Sequence, residues 1–254
     1  MKATYTEIKI CGITRLEDAL CAVTCGANAV GFIFHQASPR YIAPERAKSI
    51  IAQLPREVAK VGVFVNRETE EVERIVEGCG LDLIQLHGDE SPAYCRLFPP
   101  ERVIKAVSPK SPEEVRALDV YEVRAFLADA RDAGRYGGTG RRADWNLAAT
   151  LKKTLPLILA GGLDKENIQA ALATVAPQAV DINSGCELAP GIKDHDRMRR
   201  IIEMVRGMGQ ETTRETIQEM IQGTIHGTVH GAAQGTIHSG GTPGPKAIFV
   251  TFVK

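Results

Sequence analysis

The 254-residue chain is short of several things, and each shortage narrows what it does. Aromatic residues are only 5% of it, with a single Trp, which leaves few faces on which nucleic-acid bases would stack. Neither charge is in excess, since 31 basic side chains offset 31 acidic ones. A net charge near zero gives no electrostatic pull toward nucleic acid or an anionic membrane. No apolar run approaches the ~20 residues needed to span a bilayer. The opening MKATYTEIKI lacks the apolar centre of a secretory leader, so a cytoplasmic, reducing setting is expected. The cysteines (Cys11, Cys21, Cys25, Cys79, Cys95 and Cys186) contain no CxxC pair. No zinc site is therefore signalled, and free thiols are expected. Cys21 and Cys25, four apart on a predicted helix, are read as packing residues.

What the chain has is alternation. Short β-branched or leucine-rich runs at 8–10, 29–34, 58–65, 81–87, 102–107, 125–129, 155–162 and 179–183 are each followed by a helical pattern. The runs are nearly continuous in apolar character, as expected of parallel strands covered on both faces. Helix starts carry Ser, Asp or Pro, as in SPAYCRLF, SPEEVRAL and APERAKSIIAQL. Eight such units predict an α/β fold, a (β/α)₈ or TIM barrel over residues 1–207. The rival is an open doubly wound sheet, which would favour a GxGxxG turn after its first strand, where this chain has CGITRL.

Residues 208–254 differ in kind. TTRETIQEMIQG suits a short helix, and QGTIHGTVHGAAQGTIHSGG follows as a near-repeat with glycine too frequent for a stable one. This part is expected to be an appended low-complexity extension, Gly/Thr/His-rich and largely disordered. His226, His230 and His238 lack a carboxylate or cysteine to complete a metal site. The closing AIFVTFV is apolar enough to dock on another surface or to aggregate.

Barrel active sites lie at the C-terminal ends of the strands. That rule selects Cys11, the loop His35–Tyr41, Asn66, His87, Ser108, Asp129, Gly161–Gly162 and Ser184–Gly185. Cys11 ends strand one and Asp129 ends strand six, placing a thiol and a carboxyl on either side of the mouth as an acid–base pair. The small residues in AGGL and NSGCE let backbone N–H groups approach an anion closely. YGGTGRR at 136–142 is a third glycine-rich loop, long enough to cover a ligand. Arg40 is suited to clamping a carboxylate through two parallel hydrogen bonds. His87 and Asp181 either touch substrate or satisfy a buried neighbour.

The motifs KICGIT, NAVGFIF, SPRYI, VGVFVN, IQLHGDE, YGGTG, DW, LAGGL, VDINSG and GIKDHD occur in this order. Together they resemble the phosphoribosylanthranilate isomerases of tryptophan biosynthesis, over about residues 7–206. The resemblance implies a (β/α)₈ barrel that needs no cofactor or metal. It implies an Amadori rearrangement of N-(5-phosphoribosyl)anthranilate to 1-(2-carboxyphenylamino)-1-deoxyribulose 5-phosphate. Carried over by residue, Cys11 is the base, Asp129 the acid and Arg40 the contact to the anthranilate carboxylate. Gly161, Gly162, Ser184 and Gly185 hold the phosphate. Asn183 stands where the family often has a first serine, and the tail lies outside the pattern. A phosphosugar is the implied partner, with no nucleic acid or membrane, and the chain is expected as a monomer or homodimer. For turnover Asp129 must hold a proton and Cys11 must lose one, so help for the thiol to ionise is expected, from nearby N–H dipoles or from the transient cationic imine.

Two rival functions remain at this level. Other phosphosugar barrels use paired aspartates or metal-binding histidines in place of a cysteine on the first strand. A non-catalytic barrel with the tail as its working part is the third reading.

Overall fold

The computed structural model describes residues 5–129, 144–152, 156–207 and 248–249. The glycine-rich loop at 136–142, the predicted helix of the tail and its three histidines lie outside these residues.

Eight parallel strands close into a ring in sequence order. They are β1 (Glu7–Ile10), β2 (Ala29–Ile33), β3 (Ala59–Phe64), β4 (Leu83–Leu86), β5 (Val103–Val107), β6 (Ala125–Ala128), β7 (Leu157–Leu159) and β8 (Ala179–Ile182). β1 pairs with both β2 and β8, which closes the barrel and rules out the open sheet. The helices between them are α1 (Leu16–Cys25), α2 (Pro44–Ile51), α3 (Thr69–Cys79), α4 (Pro92–Cys95), α5 (Pro112–Arg116), α6 (Trp145–Leu151) and α7 (Ile168–Val175), and α8 spans 195–207.

The helix starts are set locally. Ser91 Oγ accepts from the Tyr94 N–H, and Ser111 Oγ from the Glu114 N–H, each followed by proline at the first helical position. The Asp144 side chain accepts from two N–H groups at the start of α6. α4 is a single turn because Pro99 and Pro100 follow closely and stop propagation.

Strand alternation divides the apolar residues into two cores. Ile8, Ile10, Phe32, Phe64, Leu86, Phe126 and Val180 pack outward against the helices. Ala29, Val61, Leu83, Ile104, Leu127, Ile158 and Ala179 fill the barrel interior. Because successive side chains take opposite faces, Glu7, Lys9 and Cys11 on β1 point the other way from Ile8 and Ile10, into the barrel. The same parity turns Gln85, His87, Asp129 and Asp181 inward. The interior is therefore apolar at mid-height and polar toward the C-terminal mouth.

All six cysteines are free thiols. Cys21 and Cys25 are half-buried on α1 with their sulfurs 3.9 Å apart, in contact but unbonded. A short hairpin of Glu187–Ala189 and Ile192–Lys193, which nothing in the strand–helix alternation predicts, sits in the loop after β8.

Candidate active site

The C-terminal mouth carries three connected sets of polar side chains. The first surrounds Cys11. Its sulfur leans over β2 at Gly31, where a Cβ would come within 2.7 Å of it and within 3.2 Å of the Lys9 Nζ. Any side chain at 31 would displace the thiol, so glycine there makes room for it. Lys9 is fully buried, and its Nζ lies 2.8 Å from Asp181 Oδ2. The other oxygen, Asp181 Oδ1, is buried with no hydrogen-bond partner among the described residues. Burial works against the Lys9 ammonium, but the neighbouring Asp181 and Cys11 hold its pKa above the usual lysine range. Burial first, then the Asp181 carboxylate, push the Cys11 thiol up; Lys9 and Lys193 pull the other way without overcoming them. Of the two expected aids to ionisation, the surroundings of the free site do not lower the Cys11 pKa, which leaves the transient imine. The cause is desolvation, which the sequence does not display.

The second set surrounds Asp129. Asp129 Oδ2 lies 3.0 Å from His87 Nε2, across β5 from it, and both residues are buried. Gln85 Nε2 lies 2.8 Å from His87 Nδ1. With the amide donating to Nδ1, the ring proton sits on Nε2 and is donated to Asp129. The loop after His87 is pinned by Glu90, whose carboxylate accepts from the N–H groups of Gly88 and Asn66 and from Lys105 Nζ at 2.7 Å.

The third set surrounds Arg40. Its Nε and Nη2 grip Glu187 Oε1 and Oε2 at 3.0 and 2.7 Å in a buried two-point pair. Lys193 Nζ adds a bond to Glu187 Oε1 at 2.9 Å and reaches Asn183 Oδ1 at 3.0 Å. Burial would raise the Glu187 pKa, but Arg40 and Lys193 outweigh it and hold the carboxyl below its usual range. The carboxylate that Arg40 meets in this structure is therefore the protein's own.

At the corner formed by β7 and β8, Gly161 and Gly162 both have positive φ, 83° and 61°, which glycine adopts without strain. A Cβ on Gly185 would lie 1.9 Å from the Leu163 carbonyl oxygen. The two loops thus touch backbone to backbone, and only glycine fits between them. Ser184 opens the single 3₁₀ turn that follows β8.

The structure brings Cys11, Asp181 and Lys9 together on adjoining strands, and His87 with Asp129 further round the ring. Between β1 and β6 stand β7 and β8, so the thiol and the acid flank the mouth rather than lying diametrically opposite. Gly161, Gly162, Ser184 and Gly185 form one corner. Lys9, Gln85, Glu187 and Lys193 are partners that the motif reading passed over. Lys9 and Gln85 were recoverable from parity, each sitting two residues before a predicted site residue on the same strand face. Glu187 and Lys193 belong to the hairpin and left no local signal. Among the described residues, no group of three or more His, Cys, Asp or Glu is placed to hold a metal ion.

Fold and mouth together define a (β/α)₈-barrel protein with a thiol, carboxyls and an imidazole gathered over an apolar floor. The family model for N-(5'-phosphoribosyl)anthranilate isomerase matches residues 8–204. The isomerase of Syntrophus aciditrophicus is 55% identical over 201 residues, covering 79% of this chain and 87% of that one. The isomerase of Geobacter sp. strain M21 is 53% identical over 197 residues, covering 78% and 96%. The crystal structure of the Thermotoga maritima enzyme superposes with a TM-score of 0.72 at 43% identity, covering 80% of this chain and 99% of that one. A phosphoribosyl anthranilate isomerase bound to reduced 1-(o-carboxyphenylamino)-1-deoxyribulose 5-phosphate superposes with a TM-score of 0.70 at 42% identity, again covering 80% and 99%. The chain belongs to the phosphoribosylanthranilate isomerase family.

Proposed function

We propose that the chain performs its family's reaction through Cys11 and Asp129, with the substrate lying across the mouth between them. The enzyme is an intramolecular oxidoreductase of tryptophan biosynthesis. It converts N-(5-phosphoribosyl)anthranilate to 1-(2-carboxyphenylamino)-1-deoxyribulose 5-phosphate. The observation that carries the assignment of roles is the inward thiol of Cys11 beside the buried Lys9–Asp181 pair, on the same rim as Asp129 held by His87.

Asp129 protonates the ribose ring oxygen as the C1–O bond breaks, leaving an open-chain iminium. Cys11 takes the proton from C2, and the resulting enolamine tautomerises to the ketone. The resting thiol is held protonated, so its ionisation, with the proton passing to solvent, awaits a cation at the mouth. The iminium supplies one as the ring opens, next to a sulfur already flanked by Lys9. Base strength is thereby generated at the step that uses it. His87 fixes the orientation of the Asp129 carboxyl toward the ring oxygen. Asp181 Oδ1, without a partner of its own, is placed to accept a hydrogen bond from substrate.

Gly161, Gly162, Ser184 and Gly185 receive the phosphate at the β7–β8 corner through backbone N–H groups. Arg40, kept flat and oriented by Glu187, offers its remaining edge to the anthranilate carboxylate. Lys193, bonded to the Asn183 side chain, adds positive charge near the phosphate, which offsets the missing serine. We infer a cytoplasmic enzyme, monomeric or homodimeric. No helix among the described residues is long and apolar enough to cross a membrane. Loss of phosphoribosylanthranilate fluorescence, followed with the purified full chain in the presence of a chelator, tests the reading. Turnover unaffected by the chelator supports it, and no turnover at all overturns it.

A further inference from the structure

At the opposite, N-terminal end of the barrel, the interior is built to receive something. β2, β3, β6 and β8 each begin on an inward alanine: Ala29, Ala59, Ala125 and Ala179. Barrel layers are usually filled by bulky branched side chains, so four alanines at one end leave a shallow apolar pit. Beside it, β1 begins on the buried carboxylate of Glu7, aligned with Ala179. A carboxylate facing an apolar pit is costly to bury unless hydrogen-bond donors meet it.

Ile248 and Phe249 occupy this pit. They are 1% and 2% exposed and pack in the same core as the four alanines. The Ile248 N–H donates to Glu7 Oε2 at 2.5 Å, and the Phe249 N–H to Glu7 Oε1 at 3.2 Å. Arg124 Nε donates to the Ile248 carbonyl at 2.5 Å. Both polar directions of the backbone are thus met by charged side chains of opposite sign, and both apolar side chains by the floor. Burial pushes the Glu7 carboxyl up, against the pull of those two N–H groups and of Arg124 and Arg206.

We infer that the N-terminal mouth of the barrel is a peptide-accepting seat, and that its occupant is the chain's own Ile248–Phe249 dipeptide. The path of the chain favours this occupant over a second copy. Near the end of α8, Arg206 donates to the Gly26 carbonyl and Asn28 Oδ1 and lies over the Tyr5 ring, all on the N-terminal side of β1 and β2. The last helix therefore ends on the same side of the barrel as the dipeptide, and 40 residues separate Gly207 from Ile248. A chain of that length can reach about 130 Å when extended, ample for a connection between two points at one end of a barrel. The seat is remote from the catalytic mouth and stands whether or not the catalytic roles above are right.

Hydrogen exchange on the full chain tests the seat. The amides of Ile248 and Phe249 should exchange slowly, and Glu7→Gln should speed both by about tenfold while leaving isomerase turnover unchanged. Phe249→Asp in the full chain should melt several degrees lower. A fluorescently tagged peptide of residues 245–254 should bind that variant and not the unaltered chain. Exchange of both amides at the rate of an unstructured peptide overturns the proposal, as does equal peptide binding by the two proteins. Protection that disappears on dilution, with a matching loss of dimer in sedimentation, overturns the intramolecular occupant and assigns the seat to a second copy.

Discussion

Lys9 and Asp181 stand opposite each other on β1 and β8 and form a buried ion pair, Nζ to Oδ2 at 2.8 Å. Each side chain stabilises the charge of the other, and together they set the field felt by Cys11. Removing one partner strands the other in a site with little water. Lys9→Met is expected to lower stability by about 3–5 kcal/mol in urea unfolding. It should also move the thiol's titration further up, read as a shift in the pH profile of iodoacetamide labelling. An unmoved profile would show that Lys9 does not act on the sulfur.

Cys11→Ser and Asp129→Asn should each reduce kcat by ~10²–10⁴-fold, the usual contribution of a placed base or acid. Neither changes side-chain size much, so the thermal midpoint should hold within a few degrees. Near-normal turnover in either variant removes that residue from its assigned role.

His87→Asn tests whether the imidazole orients the acid. The expected result is a fall in kcat with little change in KM, because the contact acts on Asp129 and not on substrate affinity. A rise in KM at constant kcat would make His87 a binding residue instead.

The acid limb of stability should depend on Glu187. Its folded pKa lies below the ordinary value of 4.5. The Arg40–Glu187–Lys193 cluster therefore contributes fully above that value and is lost as pH falls through the lower, folded one. Thermal midpoints measured from pH 7 down to pH 3 should drop less steeply in Glu187→Gln, from a lower starting point. Parallel curves for the two proteins would contradict this.

The strand–helix order was legible because each of the eight apolar runs is short, punctuated and followed by a helix with its own start signal. The rim positions followed from the strand ends alone, which is how Cys11, His87 and Asp129 came into view. What stayed hidden was mostly of one kind. Lys9 in IKI and Gln85 in LIQL were absorbed into apolar runs, because a strand buried on both faces shows no alternation to mark a polar inward residue. Glu187 becomes the partner of Arg40, and Lys193 that of Glu187, only when a hairpin nearly 150 residues along the chain folds back over the mouth. The upward shift of the Cys11 thiol was not legible for a related reason: sequence reveals neighbours along the chain but not the water excluded by the others.

The protonated state of the Cys11 sulfur has one more consequence. Peroxides and electrophiles attack thiolates far faster than thiols. A thiol ionised at rest is exposed to such damage, whereas the burial that pushes the Cys11 thiol up shields it while the mouth is empty. The same desolvation that raises the thiol's pKa thus doubles as protection of the sulfur against oxidation in the empty site.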